Sequence, residues 1–397
     1  MGLSHRTVGE FYVAPLNRDC GGDFVMGKSE SMLRHLSLLV IVSLIGVVIS
    51  GCQLPNGDNL EDHRVRYSNS FFDTFDTVVT VVGYTKTESE FEGYYEEIYK
   101  RFVELHRMYD IYNNYDGINN IKTINDNAGK EPVKVSEEII DLILFAKKWH
   151  GLTGGKVNIA MGSVLKLWHE YRQEGWDDPE NAKLPPKDDL VEAAKHTDIE
   201  KVIVDEEEST VYLSDSKMSL DVGAVAKGYA TELVAREIAE KGFDSGMISS
   251  GGNIRAIGKP LDGVRERWGV GIQDPSKSIV SEDNLLDVIY ITDSAVASSG
   301  DYQRYYVVDG IKYHHIIDPE TLMPADYYRA VTVMAEDAGI ADFMSTALFL
   351  LPYEDSLSLA KSVHVEAIWV FPDGEVKATE GMKSIMLSNG ATGAKPK

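Results

Sequence analysis

Residues 219–229 read Ser-Leu-Asp-Val-Gly-Ala-Val-Ala-Lys-Gly-Tyr, and the prediction of the fold starts from this stretch. The pattern predicts a strand that delivers Asp221, a close turn at Gly223 and a helix that begins near Ala224. Free N–H groups and the dipole at a helix N-terminus favour an anion such as phosphate. Lys227 falls in the first turn of this helix, where a cation opposes the dipole. The stretch therefore indicates an anionic ligand, unless the lysine is simply solvated.

Helices and short strands alternate on both sides of this segment. Apolar residues at helical spacing predict helices over residues 91–109, 136–149, 161–171, 224–241 and 338–350. A β-branched run at 75–84 and eight short apolar runs between 202 and 334 predict strands. Meandering strands with helices between them predict an α+β fold with largely antiparallel sheets and packed helices. The charged, proline-containing segment 173–189 predicts a loop at the boundary of two lobes.

The negative charge of the chain argues against nucleic acid as a partner. The net charge is −24, and the four basic and four acidic residues among residues 1–51 cancel, so the whole surplus lies after residue 51. A body this acidic repels nucleic acid, and an anionic ligand needs a local metal ion or lysine. With Cys20 and Cys52 as the only cysteines, a disulfide framework is not indicated.

The N-terminal segment predicts export and a lipid anchor. A short apolar stretch follows Arg34, and Ile49-Ser-Gly-Cys52 resembles a bacterial lipobox, in which the cysteine is acylated. The alternative is a transmembrane anchor, but a membrane span needs about 20 apolar residues. We expect residues 1–31 to be an extension ahead of the true start, 32–51 a lipoprotein signal peptide and 52–70 a polar tether. The expected location is the extracytoplasmic face of a bacterial cell membrane.

Three further segments carry side chains suited to chemistry. Ser249-Ser-Gly-Gly-Asn253 offers a second close backbone approach. His314 and His315 come before Asp318-Pro and suit a general base with an acidic partner, or else a turn with a packed imidazole. Asp342, Ser345 and Thr346 share one helix face, and their oxygens suit Mg²⁺. The alternative for this trio is a polar cluster bonded to the backbone near a helix start.

Six segments, taken together and in order, resemble the ApbE-like family, the FAD:protein FMN transferases. They are Leu-Asp-Val-Gly-Ala-Val-Ala-Lys-Gly-Tyr (220–229), Gly-Gly-Asn (251–253), Trp-Gly-Val-Gly-Ile-Gln-Asp-Pro (268–275), Ser-Gly-Asp-Tyr (299–302), His-Ile-Ile-Asp-Pro (315–319) and Ala-Asp-Phe-Met-Ser-Thr-Ala (341–347). The resemblance implies the flavin transferase fold over residues 71–385, and we expect residues 386–397 to be a disordered tail.

The resemblance also implies roles for individual residues. It implies contacts with FAD from Phe75, Tyr112, Lys156, Val157, Asn158, Asp221, Lys227 and Ile316. It implies that Mg²⁺ is held by the backbone carbonyl of Ala224 and by Asp342, Ser345 and Thr346, and it makes Lys227 and His315 the catalytic candidates. Three positions depart from the family pattern: Asn158 replaces an acid, Leu322 replaces a turn glycine and Thr231 replaces an aspartate.

The implied reaction is Mg²⁺-dependent cleavage of FAD. A Ser or Thr hydroxyl of an acceptor protein attacks the FMN-side phosphorus, AMP leaves, and FMN ends in a phosphodiester bond to the acceptor. Lys227 and the metal stabilise the developing charge, with His315 or a nearby carboxylate as base. The implied acceptors belong to membrane electron-transfer systems and carry a Ser/Thr-Gly-Ala-Thr segment. One alternative is an FAD pyrophosphatase, in which water replaces the acceptor hydroxyl. Another is a flavin-binding lipoprotein without catalysis. Metal-dependent release of AMP is expected of both enzymes and not of the binding lipoprotein.

Overall fold

An eight-stranded antiparallel sheet is the centre of the structure, a computed structural model that describes residues 64–278, 281 and 283–394. The predicted N-terminal extension, the signal peptide and Cys52 lie outside the described residues, as does most of the predicted tether. None of the helices within these ranges has the length and apolar character needed to cross a membrane.

The strands build one large sheet and three small ones. Their bounds are β1 Val65–Thr74, β2 Thr77–Thr85, β3 Val133–Lys134, β4 Val202–Asp205, β5 Thr210–Leu213, β6 Gly246–Ser250, β7 Asn253–Ile257, β8 Trp268–Gln273, β9 Leu285–Ile291, β10 Ala295–Gly300, β11 Tyr305–Val308, β12 Ile311–His314, β13 Ala330–Ala335, β14 Glu366–Val370 and β15 Val376–Ala378. The large sheet has the order β1-β2-β6-β7-β10-β13-β14-β15, beside the sheet β3-β5-β4 and the hairpins β8-β9 and β11-β12. Every pairing between these strands is antiparallel.

Helices pack on the large sheet and on the β11-β12 hairpin. Their bounds are α1 Glu88–Tyr109, α2 Ile121–Asp126, α3 Glu137–Leu152, α4 Gly162–Asp177, α5 Lys187–Ala194, α6 Ala226–Glu240, α7 Ala338–Phe349, α8 Tyr353–Ser362 and α9 Glu380–Lys383. Phe91, Ile98, Phe102 and Leu105 recur at helical spacing on α1 and are almost fully buried in the main core. α6 and α7 pack against each other and against β7, which places their N-terminal turns together.

The α+β class with largely antiparallel sheets is confirmed, and the boundary near residue 173 differs from the prediction. α4 continues to Asp177, so the predicted loop at 173–189 is helical at its start. Its continuation carries Trp176, whose indole N–H donates to the carbonyl of Tyr305 at 2.8 Å. The described residues fall in one compact unit.

The predicted tether and the predicted disordered tail are both wrong in part. Residues 65–70 form most of β1, where Tyr67 stacks on Phe91 with ring centroids 5.7 Å apart. Residues 68–70 are all polar and Phe72 is apolar but 60% exposed, so the sequence of this edge strand shows no clear alternation. At the other end, Ser388 donates its backbone N–H and its hydroxyl to the carboxylate of Asp287 at 3.2 and 2.5 Å. Polar bonds hold this tail as far as residue 394, and composition does not reveal them.

Candidate functional site

The turn at the start of α6 has the geometry that its sequence predicts. The N–H of Asp221 donates to the carbonyl of Ile159 at 2.8 Å, although residue 219 forms an isolated bridge rather than the predicted strand. The carboxylate of Asp221 accepts the N–H of Gly223 at 2.9 Å, which closes an Asx-turn. Burial raises the pKa of Asp221, and the bond from Gly223 opposes this rise. Helix α6 begins three residues after Gly223, so the N-terminus of α6 lies next to this turn.

Gly228 lets helix α7 approach the first turn of α6. A Cβ at this position would overlap the carbonyl oxygen of Ala338 and the Cβ of Asp342. In the space that is left, the N–H of Gly228 donates to the Asp342 carboxylate at 2.8 Å. In a regular helix that N–H would donate to the carbonyl of Ala224, four residues earlier. Among the described residues no N–H group bonds to the Ala224 carbonyl, so this oxygen stays available to a ligand.

A cluster of hydroxyl groups extends from Asp342 along α7. The Ser345 hydroxyl donates to the carbonyl of Asp342 at 2.9 Å and lies 2.8 Å from the Ser299 hydroxyl. The Ser299 oxygen is 3.2 Å from the Thr346 hydroxyl. The trio predicted from helical spacing therefore does share one face. Ser299, at the end of β10, was not predicted as a site residue, although its Ser-Gly-Asp-Tyr segment was among the six that carried the resemblance.

The oxygen donors around Asp342 fit a hard divalent cation. Desolvation raises the pKa of the buried Asp342 carboxyl, so a cation beside it would relieve an unfavourable charge. The unpaired Ala224 carbonyl and the Thr346 hydroxyl supply neutral oxygens of the kind that Mg²⁺ accepts. Within residues 64–278, 281 and 283–394 no cluster of three or more His, Cys, Asp or Glu side chains could hold a metal. The predicted set contains a single carboxylate and fits that result.

Lys227 brings a positive charge into this region. Burial lowers the pKa of its ammonium group, and the nearby carboxylate of Asp342 acts in the opposite direction. Asp221 also attracts the ammonium, while Arg304 repels it. A half-buried cation at a helix N-terminus, with another cation nearby, is stabilised when an anion binds between them.

The two adjacent histidines have different roles. Both ring nitrogens of His314 are used, because Nε2 lies 2.7 Å from the Ala325 carbonyl and Nδ1 accepts the N–H of Ile316 at 3.2 Å. The Nδ1 atom of His315 is buried and has no hydrogen-bond partner within the described part of the chain. Burial, and then the charge of Arg304, lower the pKa of His315 well below its usual value. His315 is therefore a neutral imidazole with an unused nitrogen, as a general base requires.

Tyr112 lies at the edge of this site with its side chain 56% exposed. Its backbone N–H donates to the Asp110 carboxylate at 2.6 Å, and its ring centroid is 5.5 Å from that of His169. Desolvation, and then the charge of Asp221, raise the pKa of its hydroxyl to about 12.

Phe75 occupies a left-handed turn conformation (φ 53°), and its N–H donates to His106 Nδ1 at 3.2 Å. Phe75 and Asp76 (φ 49°) form the two-residue loop between β1 and β2, where a hairpin turn has positive φ at both positions, so the contact of Phe75 with FAD stays a prediction.

The segment 156–158 is braced against its neighbours. Lys156 pairs with Glu320 at 2.8 Å and with Asp318 at 3.5 Å, next to the histidine segment. Both ends of the Asn158 amide bond to backbone, since Nδ2 donates to the Thr197 carbonyl and Oδ1 accepts the N–H of Ala160, each at 2.8 Å. Val157 and Ile316 are buried. Asn158 therefore braces the loop, and its contact with FAD stays a prediction.

Comparison with known proteins bears on the family and the fold of the chain. The profile of the ApbE family matches residues 75–369. The chain is 34% identical over 275 residues to the FAD:protein FMN transferase of Treponema pallidum, a match that covers 66% of this chain and 73% of that protein. It is 28% identical to the enzyme of the same name from Vibrio cholerae, over 72% of this chain and 80% of that protein. The crystal structure of the ApbE protein of Thermotoga maritima superposes with a TM-score of 0.70 at 30% identity, covering 81% of this chain and 99% of that one. By sequence and by fold, the chain belongs to the ApbE family.

Proposed function

We propose that this protein is an FAD:protein FMN transferase that uses Mg²⁺, links FMN through a phosphodiester bond to a Thr or Ser of a partner protein and releases AMP. The names of its relatives support the activity. The observation that carries the proposal is the junction of α6 and α7. There a half-buried lysine, a buried carboxylate and an unpaired carbonyl meet at a helix N-terminus, which is suited to a metal-bound pyrophosphate.

The residues of this junction have two roles in the proposed reaction, which are metal binding and the neutralisation of charge on the phosphate. The Ala224 carbonyl and the side chains of Asp342, Ser345 and Thr346 would hold Mg²⁺, which when bound supplies Lewis-acid stabilisation of phosphoryl charge. Lys227 neutralises charge that builds up on the phosphate oxygens as the acceptor oxygen approaches the phosphorus.

Two further residues near the reacting phosphate have roles in the proposed reaction, one in positioning α6 and one as the base. Asp221, held by its turn, fixes the start of α6 against the ligand. The unpartnered Nδ1 of His315 accepts the proton that leaves the acceptor hydroxyl when this oxygen bonds to the FMN-side phosphorus. The bond to the AMP phosphate breaks in the same step.

Transfer and hydrolysis differ only in the nucleophile that enters the site. Both reactions need the same metal and the same lysine, so the metal set does not separate them. Tyr112 is exposed in the free protein and Asn158 is bonded to backbone. A bound acceptor segment would cover Tyr112 and exclude water, which favours transfer while an acceptor is bound.

Intact mass spectrometry tests the proposal. The chain is incubated with FAD, Mg²⁺ and an acceptor domain that contains Ser/Thr-Gly-Ala-Thr, and AMP is measured in parallel. We expect the acceptor to gain the mass of FMN minus water, with one AMP per event, and slow hydrolysis of FAD without acceptor. Rapid release of free FMN and AMP, with the acceptor unmodified, would instead identify a pyrophosphatase. Flavin binding without metal-dependent AMP release would identify a non-catalytic binding protein.

We also propose that a lipid on Cys52 anchors the enzyme to the extracytoplasmic face of the membrane. The lipobox-like Ile49-Ser-Gly-Cys52 supports this location. Tethering near membrane-bound acceptors raises their effective concentration at the site. Metabolic labelling with a fatty-acid analogue should mark the wild-type chain and not Cys52→Ala. Equal labelling of the two would contradict the anchor.

A further inference from the structure

We propose that Arg172 and Arg304 form a second cationic arm of the site, which binds the pyrophosphate of FAD together with Lys227. This inference rests on the proposed function, because it takes FAD as the ligand. Neither arginine was predicted as a site residue from the sequence. The argument comes from how the β11-β12 hairpin packs on α4 and from the charges that this packing brings together.

The hairpin places Arg304 beside the candidate base. Tyr305 pairs with His314 in the register of the two strands, so the residues just outside this pair, Arg304 and His315, lie at the same end of the hairpin. Arg304 is exposed, and its charge lowers the pKa of His315 second only to burial. The end of the hairpin therefore presents a cation and a neutral imidazole to one region of the site.

Helix α4 is held against this hairpin at close range. A Cβ on Gly175 would lie 2.6 Å from Cδ2 of Tyr306, so the glycine permits the approach. The Trp176 indole N–H donates to the carbonyl of Tyr305 at 2.8 Å, next to Arg304. These two contacts bring the C-terminal half of α4, which carries Arg172, to the end of the hairpin.

Arg172 is oriented by its own helix and keeps an unused donor. His169, Arg172 and Trp176 follow at helical spacing on one face of α4. Nη2 of Arg172 lies 3.0 Å from His169 Nδ1, and the guanidinium carbon lies 5.5 Å from the Trp176 ring centroid. The Nε atom is buried and has no hydrogen-bond partner among the described residues. Because the ring of His169 also contacts Tyr112, the guanidinium group faces the predicted FAD site.

The electrostatics indicate that an anion is needed here. Burial, and then the charge of Arg304, lower the pKa of Arg172, while Arg304 also repels Lys227. Neither arginine forms a salt bridge within the part of the chain that the structure describes. Asp221 is the carboxylate that acts on both Arg172 and Lys227. In a chain with a net charge of −24, three converging cations with so little compensation favour an anionic ligand.

A pyrophosphate matches this arrangement of charges. It carries two negative charges, and a guanidinium group binds phosphate oxygens through two parallel N–H donors. Lys227 approaches from the N-terminus of α6, whereas Arg172 and Arg304 approach from α4 and the hairpin. We therefore expect the arginines to contribute affinity for FAD before any chemical step, in the absence of metal and acceptor.

Titration of flavin fluorescence with the full chain tests the inference. FAD is bound in the presence of EDTA at several NaCl concentrations by the wild type, Arg172→Gln and Arg304→Gln. Arg66→Gln, on the edge strand β1, is the matched control because Arg66 also has no salt bridge in the described ranges. We expect each site variant to raise the Kd of FAD at low salt by at least about tenfold and to weaken the dependence of Kd on salt. The control should change neither quantity.

Two results would overturn the inference, and both are distinct from failure of the proposed function. One is an unchanged Kd for FAD in both site variants. The other is a higher Kd for FAD that depends on salt as steeply as in the wild type. The second result would mean that the arginines only support the packing of α4. Arg172→Lys, which keeps the charge, should recover part of the affinity. A wild-type chain that binds FAD but modifies no acceptor would remove the transfer proposal and leave the arginine pair in place.

Discussion

Asp342→Asn is expected to lower the magnesium-dependent turnover of FAD by at least about 100-fold, because a metal that polarises a phosphoryl group supplies several kcal/mol of stabilisation. Asp342 is the single carboxylate in the predicted metal set. The other donors are the Ala224 carbonyl and two hydroxyl groups, which bind Mg²⁺ weakly without a charged ligand. Asp342→Ala should show the same loss. AMP release as a function of Mg²⁺ concentration measures the effect.

The same substitution is not expected to destabilise the fold. Burial raises the pKa of Asp342 above its unfolded value of about 3.9. A carboxyl group whose pKa is raised by folding contributes stability that is full below the unfolded pKa and is lost as the pH rises through the folded pKa. Above the folded pKa the ionised carboxylate therefore lowers stability, and an asparagine oxygen can still accept the N–H of Gly228. The melting temperature of Asp342→Asn at pH 7 should equal or exceed that of the wild type.

A neighbouring aspartate supplies the control. Asp337 caps the same helix through the N–H of Ile340 at 2.9 Å and pairs with Arg236 at 2.7 Å, outside the proposed metal set. Asp337→Asn keeps a capping side chain, so magnesium-dependent turnover should survive. A folded Asp342→Asn protein that releases AMP at close to the wild-type rate would show that the metal is held elsewhere.

Local patterns predicted the parts of the fold that depend on local spacing. The helical period of Phe91, Ile98 and Phe102 marked α1, and the strand-rich second half predicted antiparallel sheets. β1 was missed because residues 68–70 are all polar and interrupt the alternation between Tyr67 and Phe71 on this edge strand. The end of α4 was missed because charged residues and Gly175 mask a helix that the hairpin holds in place.

The site shows the same division between local and long-range information. Motifs identified Asp221, Lys227 and Asp342 one by one, and the structure brings them together. No local pattern shows that Gly228 turns its N–H to a carboxylate 114 residues away, which leaves the Ala224 carbonyl unpaired. Nor does sequence show which of two adjacent histidines is already bonded on both nitrogens. These are tertiary contacts, and only the packed chain defines them.

Lys227→Met should leave a folded protein whose kcat for FAD cleavage is lower by about 100-fold to 1000-fold, in line with the loss of one preorganised charge-stabilising group. Methionine keeps the length of the side chain and removes the charge. Burial lowers the pKa of Lys227, so the ammonium group is disfavoured in the free protein and its removal should not reduce the melting temperature. Lys147→Met is the structural control, because Lys147 bonds to the carbonyls of Ile199 and Val202 at 3.1 and 2.9 Å. That variant should lose stability and keep kcat.

The pH dependence of FAD binding separates an electrostatic role of Lys227 from a structural one. A bound pyrophosphate raises the pKa of a nearby ammonium group, so FAD binds most tightly while Lys227 is protonated. Because burial lowers the pKa of Lys227 in the free protein, affinity should fall as the pH rises through that lowered value. In Lys227→Met this alkaline loss should disappear, and Lys227→Arg should hold its affinity to higher pH, since a guanidinium group stays protonated. If Lys227→Met keeps the wild-type pH profile and a kcat within about threefold, the charge that faces the phosphate belongs to another group, and Arg304 is then the first to test.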